Sequence, residues 1–327
     1  MPSLIAVREL SCGKFVDPDF TAAGEARASV ALARLETLWI NTGSLCNIEC
    51  ENCYIESSPS NDRLAYISEA EVAAFLNEIQ LTDLGTSQIG FTGGEPFMNP
   101  QIIPILRNAL QRGFDVLVLT NAMQPMTRPR VREGLRELQQ RFGNQLTLRV
   151  SLDHYAAEFH DRERGAGSFA KACAGLDWLC RHGFKLSVAG RACWAEEMEE
   201  ARSGYQDLFE KNAWSIDAYD PSGLVLFPEM HERGDVPEIT TACWDILGKS
   251  PGDVMCATSR MVVKRRGAAS PVVVPCTLLP YDPRFEMGST LGEARTADGG
   301  SFRNGAVKLN HRYCAEFCVL GGSSCSG

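Results

Sequence analysis

Cys46-Asn47-Ile48-Glu49-Cys50-Glu51-Asn52-Cys53-Tyr54 lies a few residues after the apolar run Leu38-Trp39-Ile40 and spaces three cysteines as C-x3-C-x2-C. Three thiolates so close in sequence can hold a metal centre on one short loop. A cubane iron–sulfur cluster takes four ligands, and four cysteines are its usual set. Three local cysteines therefore leave one iron without a local thiolate. An open metal position is where chemistry takes place, as in catalytic rather than structural zinc sites. Zinc also accepts thiolates, and the spacing by itself does not separate the two metals.

Working outward from this loop, short apolar runs alternate with amphipathic segments of helical length. Thr37–Asn41, Gln88–Thr92, Asp115–Thr120, 145–151, 185–188 and 224–227 read as buried parallel strands. Between them, Ser68 with Glu71 three residues on forms a capping box that opens a helix through Val72, Phe75, Leu76 and Ile79. Further helices are expected over 100–112, 128–142, 169–182 and 196–211. Such βα repeats predict an α/β fold with a parallel sheet and right-handed crossovers. The pattern alone does not separate an open sheet from a barrel. If the strands wind into a barrel, their carboxyl ends share one face, where active sites form. The cysteine loop, Gly93-Gly94-Glu95, Thr120-Asn121, Ser151 with Asp153, and Gly190-Arg191 all follow strands in this scheme, so they converge.

Three segments resemble the radical S-adenosylmethionine (radical SAM) superfamily. The cysteine loop has that superfamily's spacing, with the aromatic Tyr54 after the third cysteine. Gly90-Phe91-Thr92-Gly93-Gly94-Glu95-Pro96-Phe97 is similar to its GGE motif. Arg149-Val150-Ser151-Leu152-Asp153, continued by Asp161-Arg162-Glu163-Arg164-Gly165-Ala166-Gly167-Ser168-Phe169, is similar to the fourth strand and following loop of members with a SPASM or twitch extension. Motif, order and strand context agree over residues 36–230, which is far more specific than the cysteine spacing alone.

The resemblance implies a partial (β/α)6 TIM-like barrel. It implies a [4Fe-4S] cluster on Cys46, Cys50 and Cys53, whose open iron binds the amino and carboxylate groups of S-adenosylmethionine. One electron then yields methionine and a 5′-deoxyadenosyl radical, which abstracts hydrogen from substrate. Gly93 and Gly94 let a ligand approach the backbone. Glu95 offers an acceptor to the methionine ammonium. Ser151 and Arg191 suit the carboxylate, Thr120 and Asn121 the same polar end, and Tyr54 the cofactor region. Asp153 suits the ribose, with His154 or Tyr155 facing substrate instead. Against each stands a plainer reading, because polar residues at strand ends often only form loops.

The C-terminal part changes character. Residues 237–248 read as a linking helix with Trp244 and Leu247 facing inward, and 21–34 near the other end as an alanine-rich helix. Beyond residue 254 come Met261-Val262-Val263, Pro271-Val272-Val273-Val274, many glycines and five cysteines spaced C-x19-C-x37-C-x3-C-x6-C. This division gives an extension (1–35), the barrel (36–236), a linker helix (237–253) and a small β-rich, cysteine-rich domain (254–327). Cys256 and Cys276 flank an expected hairpin. With Cys314 and Cys318 they resemble a twitch-type auxiliary domain holding a second [4Fe-4S] cluster, Cys325 being an alternate ligand. Four thiolates suit zinc as well. Cys12, Cys173, Cys180, Cys193 and Cys243 read as packing residues.

Thirteen cysteines without a secretion signal argue for metal ligands over disulfides and for a cytoplasmic protein. No run approaches the roughly 20 apolar residues of a membrane span. A net charge of −9 gives no footprint for nucleic acid. The expected partners are a small-molecule or peptide substrate and an electron donor such as flavodoxin or ferredoxin. The short segment before the first strand leans the substrate toward a small molecule, or toward a peptide delivered by a separate partner. The net reaction reads as an oxidation assisted by the second cluster. The alternatives are a redox-neutral rearrangement or methyl transfer with a structural second cluster, and a non-catalytic iron–sulfur or zinc protein.

Overall fold

Thr37–Asn41 (β1) is buried along its whole length, as a strand with helices or sheet on both faces must be. The computed structural model describes residues 13–192, 194, 196–228 and 235–322. From β1 the chain winds through Gln88–Thr92 (β2), Asp115–Thr120 (β3), Leu146–Ser151 (β4), Lys185–Ala192 (β5) and Leu224–Pro228 (β6). Each strand pairs in parallel with the one before it. Strands that neighbour in strict sequence order wind in one direction, as in a barrel. An open doubly wound sheet would reverse at a switch point. The barrel is partial, with β6 at one edge of the sheet.

The crossovers are Glu69–Thr82 (α1), Ile102–Gln111 (α2), Pro129–Phe142 (α3), Ala157–Arg164 (α4) with Ser168–Arg181 (α5), and Met198–Lys211 (α6). The Ser68 capping box is formed on both sides: Ser68 N donates to Glu71 at 2.9 Å, and Glu71 N donates to Ser68 Oγ at 3.3 Å. Pro129 opens α3, where its missing N–H removes nothing. In register, Trp39 on β1 faces Gly90 on β2. A Cβ at Gly90 would stand 2.4 Å from the Trp39 ring, so the glycine makes room for the largest buried side chain.

The C-terminal hairpin extends this sheet. Ser259–Val263 (β7) pairs in parallel with β1 on the side away from β2, and Val272–Val274 (β8) returns antiparallel to β7. Cys256 lies just before β7 and Cys276 just after β8. No described helix is long and apolar enough to cross a membrane.

Two expectations fail. Residues 21–34 form no helix, despite their alanines. Ser29–Val30 pairs instead with Val307–Lys308, and Ala28 bonds to Ile239 and Leu309, so tertiary partners outweigh helix propensity. The linking helix is reduced to Cys243–Leu247, and Leu247 is exposed. Gly248, in the left-handed region, ends it after little more than one turn.

Candidate active site

Asn41 at the end of β1 turns the chain by accepting a hydrogen bond from Gly43 N at 2.9 Å. The cysteine loop that follows is tied down by its backbone. Cys46 N donates to Ser58 O (3.0 Å), and Glu51 N donates to Glu163 O on α4 (2.9 Å). Cys46 is buried, Cys50 and Cys53 are half-buried, and none is in a disulfide. Burial pushes Cys46 up to about 12 and Cys50 up to about 11, with the Arg164 cation opposing the rise at Cys50. Buried thiols held together without a disulfide or a hydrogen-bonding base need a bound cation to become thiolates. The donor set thus fits a metal cluster.

The end of β2 closes onto this loop. Gly94 N donates to Gly43 O at 2.8 Å and Glu95 N to Leu45 O at 3.1 Å. A Cβ at Gly94 would lie 2.1 Å from Leu45 O, a backbone atom that cannot step aside. Gly94→Ala is therefore expected to lower stability by about 1–3 kcal/mol and to displace the loop. Denaturant midpoints and iron content after reconstitution check this; unchanged values for both would refute it.

Glu95 is buried, and protein donors surround its carboxylate. It accepts from Phe97 N (3.2 Å), Thr120 Oγ1 (2.9 Å) and Asn121 N (2.9 Å). Burial still pushes it up to about 7. It therefore braces the ends of β2 and β3 whatever else it binds. Asn121 Nδ2 lies 3.8 Å from Cys46 Sγ and donates to Asn47 Oδ1 at 3.0 Å.

On the far wall, two ion pairs meet beneath the loop. Asp153 takes Arg164 in a two-point pair (2.7 and 2.8 Å), and Arg191 pairs with Glu163 at 3.0 Å. Asn52 donates to Glu163, and its carbonyl accepts from Arg191. Asp153 and Arg191, expected to face a cosubstrate, are thus also engaged within the protein. Glu163 and Arg164 are neighbours of the site that were quoted in the run 161–169 but not singled out as site residues. The signal was present: adjacent opposite charges in an acid- and arginine-rich run before a glycine turn. Tyr54 donates to Pro228 O at 2.6 Å, lies 5.4 Å from the Arg191 guanidinium carbon, and meets Phe227 and Phe317 edge-on.

His160, buried behind Asp153, accepts from Asp153 N at 3.1 Å. Burial, and next the Arg164 charge, pull it down from 6.5 to about 4. A histidine depressed on folding takes up its proton more readily when unfolded. Its contribution is whole above about 6.5 and is lost as pH falls toward about 4, on the order of 3 kcal/mol. His160→Asn should lose less stability between pH 7 and pH 4.5 than wild type does in urea titrations; equal losses would refute this.

Most of these groups meet at one cavity at the carboxyl ends of the strands, while Glu95, Glu163 and His160 are buried behind its walls and do not line it. Its walls include Cys46, Cys50, Cys53, Gly93, Gly94, Thr120, Asn121, Ser151, Asp153, Arg164 and Arg191, and Thr277 and Leu278 reach in from the C-terminal part. Counted out to open solvent, it encloses about 1100 Å³.

A second, wholly apolar cavity is lined by Cys256, Cys276, Cys314 and Cys318, all buried. Beside it the Arg260 guanidinium is buried with no carboxylate partner among the described residues, bonding only to the carbonyls of Cys256, Ser259 and Gly305. A buried cation of this kind fits an anionic group held by four thiolates. Cys325, Cys12 and Cys193 lie outside the described residues. Cys173, Cys180 and Cys243 line neither cavity. Among the described residues, no three His, Cys, Asp or Glu side chains converge on a single-ion site; the two cysteine sets are alike in this.

Residues 40–198 match the family model described as the Radical SAM superfamily. AlbA of Bacillus subtilis (strain 168), an antilisterial bacteriocin subtilosin biosynthesis protein, is 31% identical over 172 residues, 52% of this chain and 33% of that protein. The AdoMet-dependent heme synthase of Methanosarcina barkeri (strain Fusaro / DSM 804) is 30% identical over 144 residues, 44% of this chain and 38% of that one. The matches thus span only 33% and 38% of these relatives' own lengths. Among solved structures, Streptococcus suis SuiB bound to precursor peptide SuiA shares the fold with a TM-score of 0.58, at 14% identity over 84% of this chain and 68% of that one. With its cysteine loop, glycine turn and singly wound parallel sheet, the stretch 40–198 is a radical SAM domain, of the kind whose cofactors are a [4Fe-4S] cluster and S-adenosylmethionine.

Proposed function

We propose that this chain is a radical SAM enzyme that modifies a peptide and holds a second [4Fe-4S] cluster in its C-terminal segment, residues 254–327. The observation that carries the reading is convergence. Three cysteines after β1 share one cavity with the glycine turn after β2 and with polar or charged groups after β3, β4 and β5. The bound cluster and cosubstrate would supply one-electron cleavage to a 5′-deoxyadenosyl radical.

The chain's own residues bind and orient. Cys46, Cys50 and Cys53 hold the first cluster. Gly93 and Gly94 keep the wall free of side chains. Glu95 accepts the methionine ammonium, and Ser151 with Arg191 takes the carboxylate. Thr120 and Asn121 brace that end, and Asp153, fixed by Arg164, faces the ribose. Tyr54 screens the cavity from the C-terminal side.

Two of the three proteins named above favour a peptide over a small molecule, a bacteriocin biosynthesis protein and a structure bound to a precursor peptide; the third, a heme synthase, is named for a small-molecule product. Cys256, Cys276, Cys314 and Cys318 serve the second cluster, with Arg260 as counter-charge. Four buried thiols lining one apolar cavity suit a cubane cluster, which takes four cysteines. An electron acceptor there would allow a net two-electron oxidation. The test is anaerobic reconstitution with iron and sulfide, followed by dithionite and S-adenosylmethionine. Formation of 5′-deoxyadenosine is expected; its absence from protein carrying a full iron complement would overturn the reading.

A further inference from the structure

The proposed reaction needs one electron from outside the chain, so the protein needs a face where a donor can approach the first cluster. The chain is acidic overall, at −9. Residues 128–141 run against that balance, with five arginines and two glutamates. Arg128, Arg130, Arg132 and Arg136 are exposed and form no ion pair among the described residues; in this stretch only Arg141 pairs, with Glu137, which also takes Arg107.

Arg128 and Arg130 border a groove at the start of α3 whose walls include Phe97, Met98, Ile103, Glu133 and the paired Arg107 and Glu137, which leaves its charged rim net positive. Hydrogen bonds lead from this groove to the first thiol. Phe97 N donates to Glu95, the same carboxylate accepts from Asn121 N, and Asn121 Nδ2 lies 3.8 Å from Cys46 Sγ. On the other side the Tyr66 ring lies against Gly43, three residues before Cys46, within electrostatic reach of both Arg128 and Cys46. Exposed cations, unpaired among the described residues, thus border a groove whose wall is bonded through to the cysteine loop.

We propose that this face docks an acidic one-electron carrier protein of the flavodoxin or ferredoxin class. The proposal rests on the function given above, which requires such a donor. Cations at the rim of an interface act mainly on association rate and its salt dependence. A carrier with acidic residues around its redox group would be steered to Arg128 and Arg130 and would deliver the electron beside Cys46.

The test uses the full chain with charge reversals. Arg128→Glu with Arg130→Glu should weaken binding of reduced flavodoxin at low salt at least tenfold and flatten its salt dependence, measured on apoprotein by fluorescence anisotropy. With reconstituted protein, flavodoxin-driven formation of 5′-deoxyadenosine should fall similarly, while dithionite-driven formation and iron content stay unchanged. The control, Lys185→Glu with Lys211→Glu, alters net charge equally at the opposite end of the barrel and should do little. Equal weakening in both pairs would reduce the effect to net charge and overturn the proposal. So would unaltered carrier binding, or wild type that engages neither flavodoxin nor ferredoxin while dithionite still works. If the double reversal folds poorly, Arg128→Gln with Arg130→Gln should show a smaller loss in the same direction. Failure of the dithionite arm in wild type would instead reject the function on which the proposal rests.

Discussion

Cys46→Ala, Cys50→Ala and Cys53→Ala combined are expected to abolish 5′-deoxyadenosine formation and leave the barrel folded. The loop's main anchors are backbone bonds: Cys46 N to Ser58 O, Glu51 N to Glu163 O, and Gly94 N to Gly43 O. Cys53 Sγ accepts one bond, from Ser57 N at 3.3 Å, and its loss touches only the loop. The core is built by β1 to β6 and their helices, not by the thiols. Iron should fall from about eight to about four per chain, the difference being one cubane. Circular dichroism and a denaturant midpoint close to wild type would accompany the lost activity. A triple variant that still cleaved S-adenosylmethionine would remove the basis of the proposed function.

The second large effect is expected from Cys256→Ala with Cys276→Ala in that background. The remaining iron should go, because two of the four buried thiols that line the apolar cavity are then missing. Arg260 would remain buried without a counter-charge, which adds to the destabilisation. Limited proteolysis should then cut mainly beyond residue 276. The hairpin β7–β8 is held by β1, whereas the segment from Cys276 to Cys318 is rich in loops and carries two short strands, the six-residue helix Leu291–Thr296 and the start of the helical turn Cys314–Leu320. A segment so small gains much of its closure from a metal. Four iron and one zinc in wild type would reassign the site as structural zinc and remove its role as electron acceptor. Intact iron in the five-cysteine variant would show that other residues hold it.

Much of this was legible because strands buried on both faces announce themselves as short continuous apolar runs. Thr37–Asn41, Gln88–Thr92 and Asp115–Thr120 have the bounds that their runs imply. The cysteine loop and glycine turn were legible because metal and close-approach sites constrain residue type locally. Glu163 and Arg164 were not, since their meaning lies in Arg191 and Asp153, and neighbours in sequence bond to different partners. The dual duty of Glu95 was hidden for the same reason: Thr120 and Asn121 become its donors only once β2 and β3 lie side by side. Alanines at 22, 23, 26 and 28 suggested a helix, but local propensity lost to a strand partner nearly 280 residues away, Ser29 against Lys308.

The parallel pairing of β1 with β7 has a consequence for how such a chain can be taken apart. Thr37 to Ile40 are hydrogen-bonded on both sides, to β2 and to β7. A chain severed before Val254 would leave the backbone of Leu38, Trp39 and Ile40 as a raw sheet margin. That is the kind of exposed apolar edge that recruits other strands and aggregates. The two cysteine sets therefore cannot be treated as interchangeable modules. The strand that introduces the second set is also the seam that closes the first, and the pair must be inherited, expressed and engineered as one piece.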